Sequence, residues 1–378
     1  MNDTETLLEQ WSPLCNMQAF VEANDSAVYF YLWIYPGTEM AEIRSCWVCN
    51  RRPAVEEMDY AAMDSGEAPR MPLEFVDHDP GGIELDRDRL SIVWFEEGDA
   101  AFLFEGGRMI AAIPGWAGEK FPGYSLFAKG VGPFAWELKT ALPALSLRAD
   151  RSRAYWEAMA GDYFQELQGE QLAALEGYFG PHRQYFAIDG GQFPPRALVT
   201  GEKGGNRYAF TLGNGALSQP KIEQYFQEDS WKYRRFELGI AFPPGTDEGR
   251  ARAMLSYVAA QAALPWREIG WLGHGHTIPC EAAPGYAAVL LLNPALCPVD
   301  RGPSYPDFMG EPVNLLWVML LTAGEYEDVM KHGEEGILAR KGGEAVMTIE
   351  VDGDVPDSLM ESLRGQPHVL NVVLIRAI

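Results

Sequence analysis

The sequence predicts an α+β fold in which mixed sheets are flanked by helices. Short runs of β-branched and aromatic residues, separated by turn residues, occupy residues 28–113 and indicate strands. Apolar residues then recur at helical spacing over residues 150–179, and from residue 183 onward strands alternate with capped helices. At 378 residues the chain exceeds the size at which one core usually stops growing, so we expect two domains.

The first part of the chain is expected to be mainly antiparallel sheet. Residues 28–34 are a β-branched and aromatic run ended by Pro36-Gly37, and residues 44–49 have the same character. Three further strand candidates, joined by hairpin-like connectors, predict a meander: residues 90–95, 100–104 and 109–113.

A helical segment separates the two predicted domains. Gly180-Pro181 stops the helical pattern of residues 150–179, because Gly suits the C′ position and Pro cannot continue a helix. We therefore predict an N-terminal α+β domain of unknown family, a second α+β domain and a C-terminal strand-helix-strand tail: residues 1–180, 181–340 and 341–378. The tail is expected to pack on the second domain as a small βαβ unit.

The second domain is predicted to combine strands with two capped helices. Thr246 is the expected N-cap of a helix that continues to Ala263 and is stopped by Pro265. Thr322 and Glu325 have the spacing of a capping box at the start of the other helix. The strand candidates are residues 183–188, 197–200, 208–212, 233–242, 288–292 and 315–321.

The charge balance narrows the classes of partner. Fifty-four acidic residues against 30 basic ones give a net charge of −24, a field that repels phosphate backbones and attracts a cationic protein. We therefore expect no nucleic-acid binding. The apolar stretch at residues 313–321 is too short to cross a bilayer, so no membrane contact is expected. The acidic N-terminus lacks the charge pattern of a signal peptide, and the odd number of cysteines implies no disulfide framework, so we expect the cytoplasm.

Four segments occur in order along the chain: residues 196–201 (RALVTG), 235–243 (RFELGIAFP), 271–277 (WLGHGHT) and 312–326 (PVNLLWVMLLTAGEY). Together they resemble the suppressor-of-fused (SUFU) family, bacterial type, over about residues 183–340. The first stands at the strand and turn where the family shows an L-x-T-x-G pattern, and the second resembles its R-x-E-L strand ending at a proline. The third resembles its G-H-T turn, and the fourth is similar to the strand that leads to a PL-T-x-x-E pattern, although Leu320 stands where a proline is usual.

The resemblance implies protein binding and no enzyme activity. The animal member of the family is a cytoplasmic repressor that clamps a transcription factor by extending its sheet with a strand of the partner. Bacterial members are often associated with toxin–immunity loci and are proposed to neutralise toxins, and an acidic immunity protein would suit a basic toxin. Residues 1–150 show no family resemblance.

His274 and His276 are the sharpest candidates for a metal site. On a strand, residues two apart face the same side, so both imidazoles would reach one ion, with Cys280 or Glu281 as a further ligand. The flanking glycines instead indicate a turn, in which histidines hydrogen-bond to the backbone and hold the loop. We expect this structural role, and therefore no metal, no cofactor and no catalytic residue. The alternative is a metal-dependent hydrolase centred on the two histidines.

Two other groups of residues are interpreted as structural or solvated. Cys46 and Cys49 have a chelating spacing, but residues three apart on a strand point to opposite faces, so we expect buried thiols. The loop with Asp77 and Asp79 has some features of a calcium loop, but its fifth position is Gly and no helices flank it. We expect a solvated acidic loop that faces a partner.

The predicted function is non-catalytic binding of another, basic protein, with toxin neutralisation as its specific form. The contact is expected in a groove between the domains or at an open sheet edge. Trp231, Tyr233, Trp266 and Trp271 are interpreted mainly as core or domain-interface residues, and any that stay exposed would form a hot spot. A structural or scaffold subunit is a further alternative, and the oligomeric state stays open. The residues expected to bind the partner are Asp77, Asp79, Trp231, Trp271, His274 and His276.

Overall fold

The computed structural model of the chain describes residues 4–340, apart from residues 59, 65, 67, 283 and 297–301. Three sheets with helices packed on them confirm the α+β class within this part. The predicted strand-helix-strand tail at residues 341–378 lies outside the described residues. Here residues 4–180 are called the first half of the chain and residues 181–340 the second half.

The first sheet has four antiparallel strands in the order β1-β2-β3-β4. Its strands are β1 (Glu5–Trp11), β2 (Met17–Ala23), β3 (Ala27–Ile34) and β4 (Glu42–Asn50). The last two confirm the strands predicted at residues 28–34 and 44–49. The first two were not predicted, because β1 has no buried residue and β2 buries small alanines, which have a weak strand preference.

The second sheet is the predicted antiparallel meander extended by two short strands. Its strands are β5 (Leu90–Trp94), β6 (Ala101–Glu105), β7 (Arg108–Ile113), β8 (Tyr124–Ser125) and β9 (Trp136–Glu137). Strand β8 joins β7 in antiparallel pairing and β9 in parallel pairing. Side chains of the tight connector between β5 and β6, residues 95–100, contact the second half of the chain.

The first half ends in two long helices. Its helices are α1 (Tyr60–Asp64), α2 (Leu138–Met159) and α3 (Tyr163–Phe179). Helix α2 begins well before the predicted start at residue 150, and Pro143 lies inside it. The true start of α2 was not predicted, because a proline inside a helix removes one backbone hydrogen bond and usually marks a helix boundary. Helix α3 ends at Gly180, whose positive φ of 92° confirms the predicted stop.

The third sheet has seven strands in the order β10-β11-β12-β13-β16-β15-β14. All neighbours are antiparallel except the central pair of β13 and β16. Its strands are β10 (Gln184–Ala187), β11 (Ala197–Lys203), β12 (Asn206–Leu212), β13 (Arg235–Phe242), β14 (Thr277–Pro279), β15 (Ala288–Leu292) and β16 (Val313–Leu321). The helices are α4 (Ile222–Phe226), α5 (Glu248–Gln261), α6 (Leu264–Arg267), α7 (Ala323–His332) and α8 (Glu335–Arg340).

The capping predictions divide into one confirmed and one wrong. Thr322 and Glu325 form the predicted capping box at the start of α7. Thr246, however, does not cap α5: Asp247 does, and its side chain accepts the backbone N–H of Arg250 at 2.9 Å. Pro265 does not merely end that helix either, because it lies in the first turn of α6, where a missing N–H costs nothing.

One hydrophobic core passes through both halves. It contains side chains from the first two sheets, from α2 and from the third sheet, including Phe102, Tyr155, Phe236 and Leu316. The hydroxyl of Tyr155 donates to the carbonyl of Ala216 at 3.1 Å, which ties α2 to the second half. The division into domains at residue 180 stays a prediction. Within the described residues, no helix is both long and apolar enough to span a bilayer.

Replacing Asp247 with Ala is expected to lower the free energy of unfolding by about 1 kcal/mol, because the N–H of Arg250 loses its acceptor. The control is Thr246→Ala, whose hydroxyl donates only to the carbonyl of Pro243 and which should cost clearly less. Urea unfolding, together with hydrogen exchange of the first turn of α5, measures both changes. Equal losses in the two variants would contradict the assignment of Asp247 as the cap.

Candidate functional site

The structure separates the predicted site residues into groups. Asp77 and Asp79 lie in a loop whose contacts are with the first half: Asp77 forms an ion pair with Lys139, and Asp79 accepts the N–H of Gly81 at 2.8 Å. His78 between them stacks on Trp47, with ring centroids 5.7 Å apart, and accepts the N–H of Asn50. The loop is therefore anchored through His78, and its contacts do not bring it to the tryptophans of the second half.

Trp271 and His276 lie together in a cluster of partly exposed rings in the second half. Their ring centroids are 4.2 Å apart, and Trp271 also contacts Tyr225 at 5.4 Å and Phe226 at 5.0 Å. None of these side chains is buried. We call this cluster, together with the neighbouring Trp231 and Tyr233, the aromatic surface: Tyr225, Phe226, Trp231, Tyr233, Trp271 and His276.

Local backbone geometry presents these rings to solvent. Buried Ile222 anchors the short helix α4, so that Tyr225 on the same helix faces outward with 63% of its surface exposed. A 3₁₀ helix, Gln227–Lys232, follows directly and carries Trp231. Trp271 is placed by the side chain of Gln219, which bonds both the N–H and the carbonyl of Leu272, at 2.7 and 3.1 Å.

A loop of the first half completes this surface. The carbonyl of Gly115 accepts hydrogen bonds from Gln224 on α4 at 2.6 Å and from Arg44 on β4 at 3.1 Å. The bond from Gln224 sets the loop that carries the exposed Trp116 against the helix that carries Tyr225. The aromatic surface therefore lies beside the junction of the two halves.

The two histidines of the predicted metal alternative have separate structural contacts. Nδ1 of His274 accepts the N–H of Asn293 at 3.1 Å, and Nε2 lies 3.2 Å from a carboxylate oxygen of Glu334. Burial lowers the pKa of His276, partly offset by a backbone hydrogen bond at Trp271. Gly275 between them has a φ of 80°, the turn geometry that the glycines indicated. Over the described part of the chain, no group of three or more histidine, cysteine or acidic side chains is arranged to hold a metal ion.

A largely buried network of charges lies at the junction, with Arg148 and Glu223 partly buried and Arg151 exposed. Its members come from the β5–β6 connector, from α2 and from the second half, and they are Glu96, Glu97, Arg148, Arg151, Glu223, Arg234, Arg235 and Glu311. We call it the junction network. The four acids and four arginines balance in charge, which makes their removal from water tolerable.

Several bonds of the junction network cross between the halves. Arg148 on α2 contacts Glu97 at 2.7 Å and Glu223 of the second half at 2.6 Å. Arg235 on β13 contacts Glu311 at 2.8 Å and Glu96 of the first half at 3.5 Å. The junction is consequently specified by directional bonds in addition to apolar packing.

Two carboxyl groups at this junction have opposite pKa shifts. Burial favours a higher pKa for Glu97, but the guanidinium groups of Arg148 and Arg234 lower it to about 2. Burial raises the pKa of Asp99 to about 7, and the nearby negative charge of Glu97 adds to the rise. Asp99 has little compensation, since its carboxylate accepts only a 3.3 Å hydrogen bond from the backbone N–H of Lys221 and faces Arg44 at a distance.

The R-x-E-L segment has a structural role. Arg235 belongs to the junction network, and Glu237 is buried on the same strand. The carboxylate of Glu237 accepts hydrogen bonds from the hydroxyl of Thr211 at 2.6 Å and from the N–H of Gly215 at 2.8 Å. Burial nevertheless raises the pKa of Glu237 to about 7. Arg235 and Glu237 therefore stabilise the interior and are not accessible to a partner.

The sequence interpretation missed part of this arrangement. Trp266, a core or interface candidate, is buried, and Cys46 and Cys49 are buried thiols as predicted. Tyr225 and Phe226 were overlooked, although the density of aromatic residues between 225 and 233, interrupted by acids, was a visible signal. The junction network had no such signal, because its members are far apart in sequence.

Comparison with known proteins finds one family match, which covers most of the second half and continues beyond residue 340. Residues 195–350 match the family model described as Suppressor of fused protein (SUFU). No curated protein and no solved structure matches the chain. The matched range includes the rings of the aromatic surface and the second-half members of the junction network, whereas the residues of Trp116 and α2 precede it.

Replacing Glu311 with Gln is expected to lower the free energy of unfolding by about 3 kcal/mol, because buried Arg235 would lose its nearest carboxylate and keep only Glu96 at 3.5 Å. The matched control is Glu5→Gln, whose ion pair with Arg87 has both side chains 59% exposed, and which should cost less than about 1 kcal/mol. Denaturant unfolding of both variants measures the difference. Similar small losses would show that the junction network contributes no more than a surface pair.

Asp99→Asn is expected to stabilise the protein more as the pH rises. The pKa of Asp99 is raised from 3.8 to about 7 in the folded state, so its stabilising contribution is complete below pH 4 and is lost as the pH rises through 7. Asparagine does not ionise, so the difference in free energy of unfolding between the variant and the wild type should grow by roughly 2 to 4 kcal/mol in favour of the variant from pH 5 to pH 8. Calorimetry of both proteins at these pH values measures the gain. Comparing the pair cancels the contribution of Glu237, which titrates in the same range, and a pH-independent difference would contradict the burial of an uncompensated carboxyl group.

Proposed function

We propose that this chain, whose residues 195–350 form a SUFU domain, binds a basic protein partner through the aromatic surface. A SUFU domain indicates a non-catalytic protein-interaction module. The single observation that carries the choice of surface is a cluster of five partly exposed rings in mutual contact beside the junction of the two halves, with Trp231 exposed on the adjoining 3₁₀ helix. Large exposed aromatic side chains that pack on one another are the usual anchors of protein–protein contacts.

The composition of the aromatic surface suits a binding hot spot. Tyrosine and tryptophan bury much area on binding and lose few rotatable bonds. Tyr225 and Trp231 are the most exposed rings of the aromatic surface, and the ring centroid of Trp271 lies 5.4 Å from that of Tyr225. The ring of Tyr225 is thus already supported by a second ring in the free protein. This arrangement reduces the entropy lost when a partner binds.

The charge around the rings supports a basic partner. Glu228 and Asp229 lie in the 3₁₀ helix after α4, and Glu268 precedes Trp271 by three positions. All three are exposed; Asp229 is paired with Lys232 and Glu268 with Arg267, so Glu228 adds the net negative charge at this point. The chain as a whole carries a net charge of −24. A basic protein would be attracted before contact, which raises the association rate and makes it sensitive to salt.

The junction network gives the surface its rigidity. Glu223 on α4 bonds to Arg148 of the first half and to Arg234 of the second, so the helix with Tyr225 is held from both sides. Gln224 adds the bond to Gly115. A surface held in this way is preorganised.

The specific form of the proposal is a bacterial immunity protein that neutralises a basic toxin in the cytoplasm. It is supported by the SUFU domain, by the negative charge and by the free, buried cysteines of the described residues. A partner strand at the sheet edge offers a second contact. Strand β10 is exposed at all four residues, whereas the opposite edge strand β14 ends in Pro279, whose carbonyl is occupied by Tyr257.

Tyr225→Ala is expected to weaken binding of a basic partner by about 10-fold or more, the cost of removing a hot-spot aromatic. The control is Tyr60→Ala on α1, since the two tyrosines are exposed to 63% and 64% and only Tyr225 belongs to the aromatic surface. The partners to test are the basic proteins encoded by the genes adjacent to the gene for this protein. Stopped-flow association at several salt concentrations gives the rates, and light scattering gives the stoichiometry.

The expected result is a one-to-one complex whose association rate falls with salt and whose affinity depends on Tyr225. A salt-independent rate would refute the electrostatic part of the proposal. Equal effects of the two tyrosine substitutions would refute the aromatic surface as the contact. Turnover of a small compound by the isolated protein would refute the non-catalytic function.

A further inference from the structure

One exposed ring of the aromatic surface already holds a cation. Nζ of Lys232 lies 5.6 Å from the centroid of the Trp231 ring and 2.8 Å from Oδ1 of Asp229. The first distance is within the range of a cation–π interaction, and the second is an ion pair. An indole face and a carboxylate together therefore form a small binding position for a positive charge, occupied by the chain's own lysine.

The backbone under this position is fixed, whereas the lysine side chain is not. The carbonyl of Lys232 accepts a hydrogen bond from Asn314 on β16 at 2.8 Å, and buried Ser230 accepts one from Arg234 at 2.9 Å. In the 3₁₀ helix, residues three apart lie in line, which places Asp229 and Lys232 on the same side. Trp231 and Asp229 are thus presented by a rigid segment.

The contact of Lys232 is weak enough to be replaced. Its side chain is 44% exposed and that of Asp229 is 62% exposed, and exposed ion pairs contribute little free energy. An arginine of a partner would bind better than lysine, because its planar guanidinium stacks on an indole and bonds a carboxylate with two N–H groups. Displaced Lys232 would then return to water at small cost.

We propose that Trp231 and Asp229 form an arginine subsite, which Lys232 occupies in the free protein and vacates when a partner's arginine binds. The inference rests on the proposed function, because it specifies the residue that a basic partner places on the aromatic surface. Lys232 acts as an intramolecular competitor that lowers the affinity for weakly basic proteins. It is displaced by an arginine, which stacks on the indole of Trp231 and bonds the carboxylate of Asp229 at the same time.

The subsite is tested on the full-length protein with defined peptides. The probes are acetyl-Gly-Arg-Gly-amide, its lysine analogue and its citrulline analogue, which keeps the shape of arginine without the charge. The chain contains 11 tryptophans, so the protein is labelled with 5-fluorotryptophan and the Trp231 resonance is assigned with Trp231→Phe. Fluorine NMR then follows that resonance during each titration.

We expect the arginine peptide to shift the Trp231 resonance at lower concentration than the lysine peptide, and the citrulline peptide to leave it unchanged. Lys232→Met should lower the midpoint for the arginine peptide about 2- to 5-fold, because the competitor is gone. Asp229→Asn should raise the midpoint. The matched control is Lys203→Met at the end of β11, which removes another cation–π contact, 4.3 Å from the ring of Tyr178 on α3, and should not change the midpoint.

Equal responses to arginine and citrulline, or an unchanged midpoint in Lys232→Met, overturn the subsite. The proposed function fails separately. If basic proteins bind and their affinity depends on Tyr225 while the Trp231 resonance does not respond to the arginine peptide, only the subsite is wrong. If Trp231 responds as expected but no basic protein binds, the subsite stands and the proposed function is wrong.

Discussion

The buried pairing of arginines and glutamates between the two halves is the interaction on which the rest of the structure depends. Arg148 and Arg235 each contact carboxylates from both halves, so neither half can shift without leaving a buried charge unpaired. Breaking such pairs is costly, although replacing them by apolar groups is often neutral. Their contribution here is therefore specificity: they define one relative position of the halves, and with it the surface at which they meet.

That position brings together the features that support protein binding. The helix with Tyr225 is bonded through its neighbours Glu223 and Gln224 to the first half, and the aromatic rings lie on the outer side of this contact. The matched SUFU range supplies these rings, while α2 and the loop at Gly115 supply the support. Binding at the aromatic surface would therefore depend on residues outside the matched range.

The charges of this chain have two distinct roles. Inside, acids and arginines are paired so that the junction network is neutral, with Asp99 as a neighbour whose pKa is raised to about 7 by burial. Outside, acids outnumber bases, and the chain carries a net charge of −24. The interior charges stabilise the relative position of the two halves, and under the proposed function the exterior charges would favour a basic partner. Trp231 with Asp229 combines an exposed ring and an exposed acid at one point of the surface.

The sequence by itself determined the α+β class, most strands of the third sheet, the capping box of α7 and the SUFU resemblance, because these depend on local periodicity and on residues close in the chain. It also identified Trp231 and Trp271 as interface candidates, but not that Tyr225 joins them. Only the tertiary structure decided which charges are buried together, which rings stay exposed and that Asp77 lies apart from them. The physical reason is that ion pairs such as Arg151 with Glu311 join residues far apart in sequence, and no local pattern records such a contact.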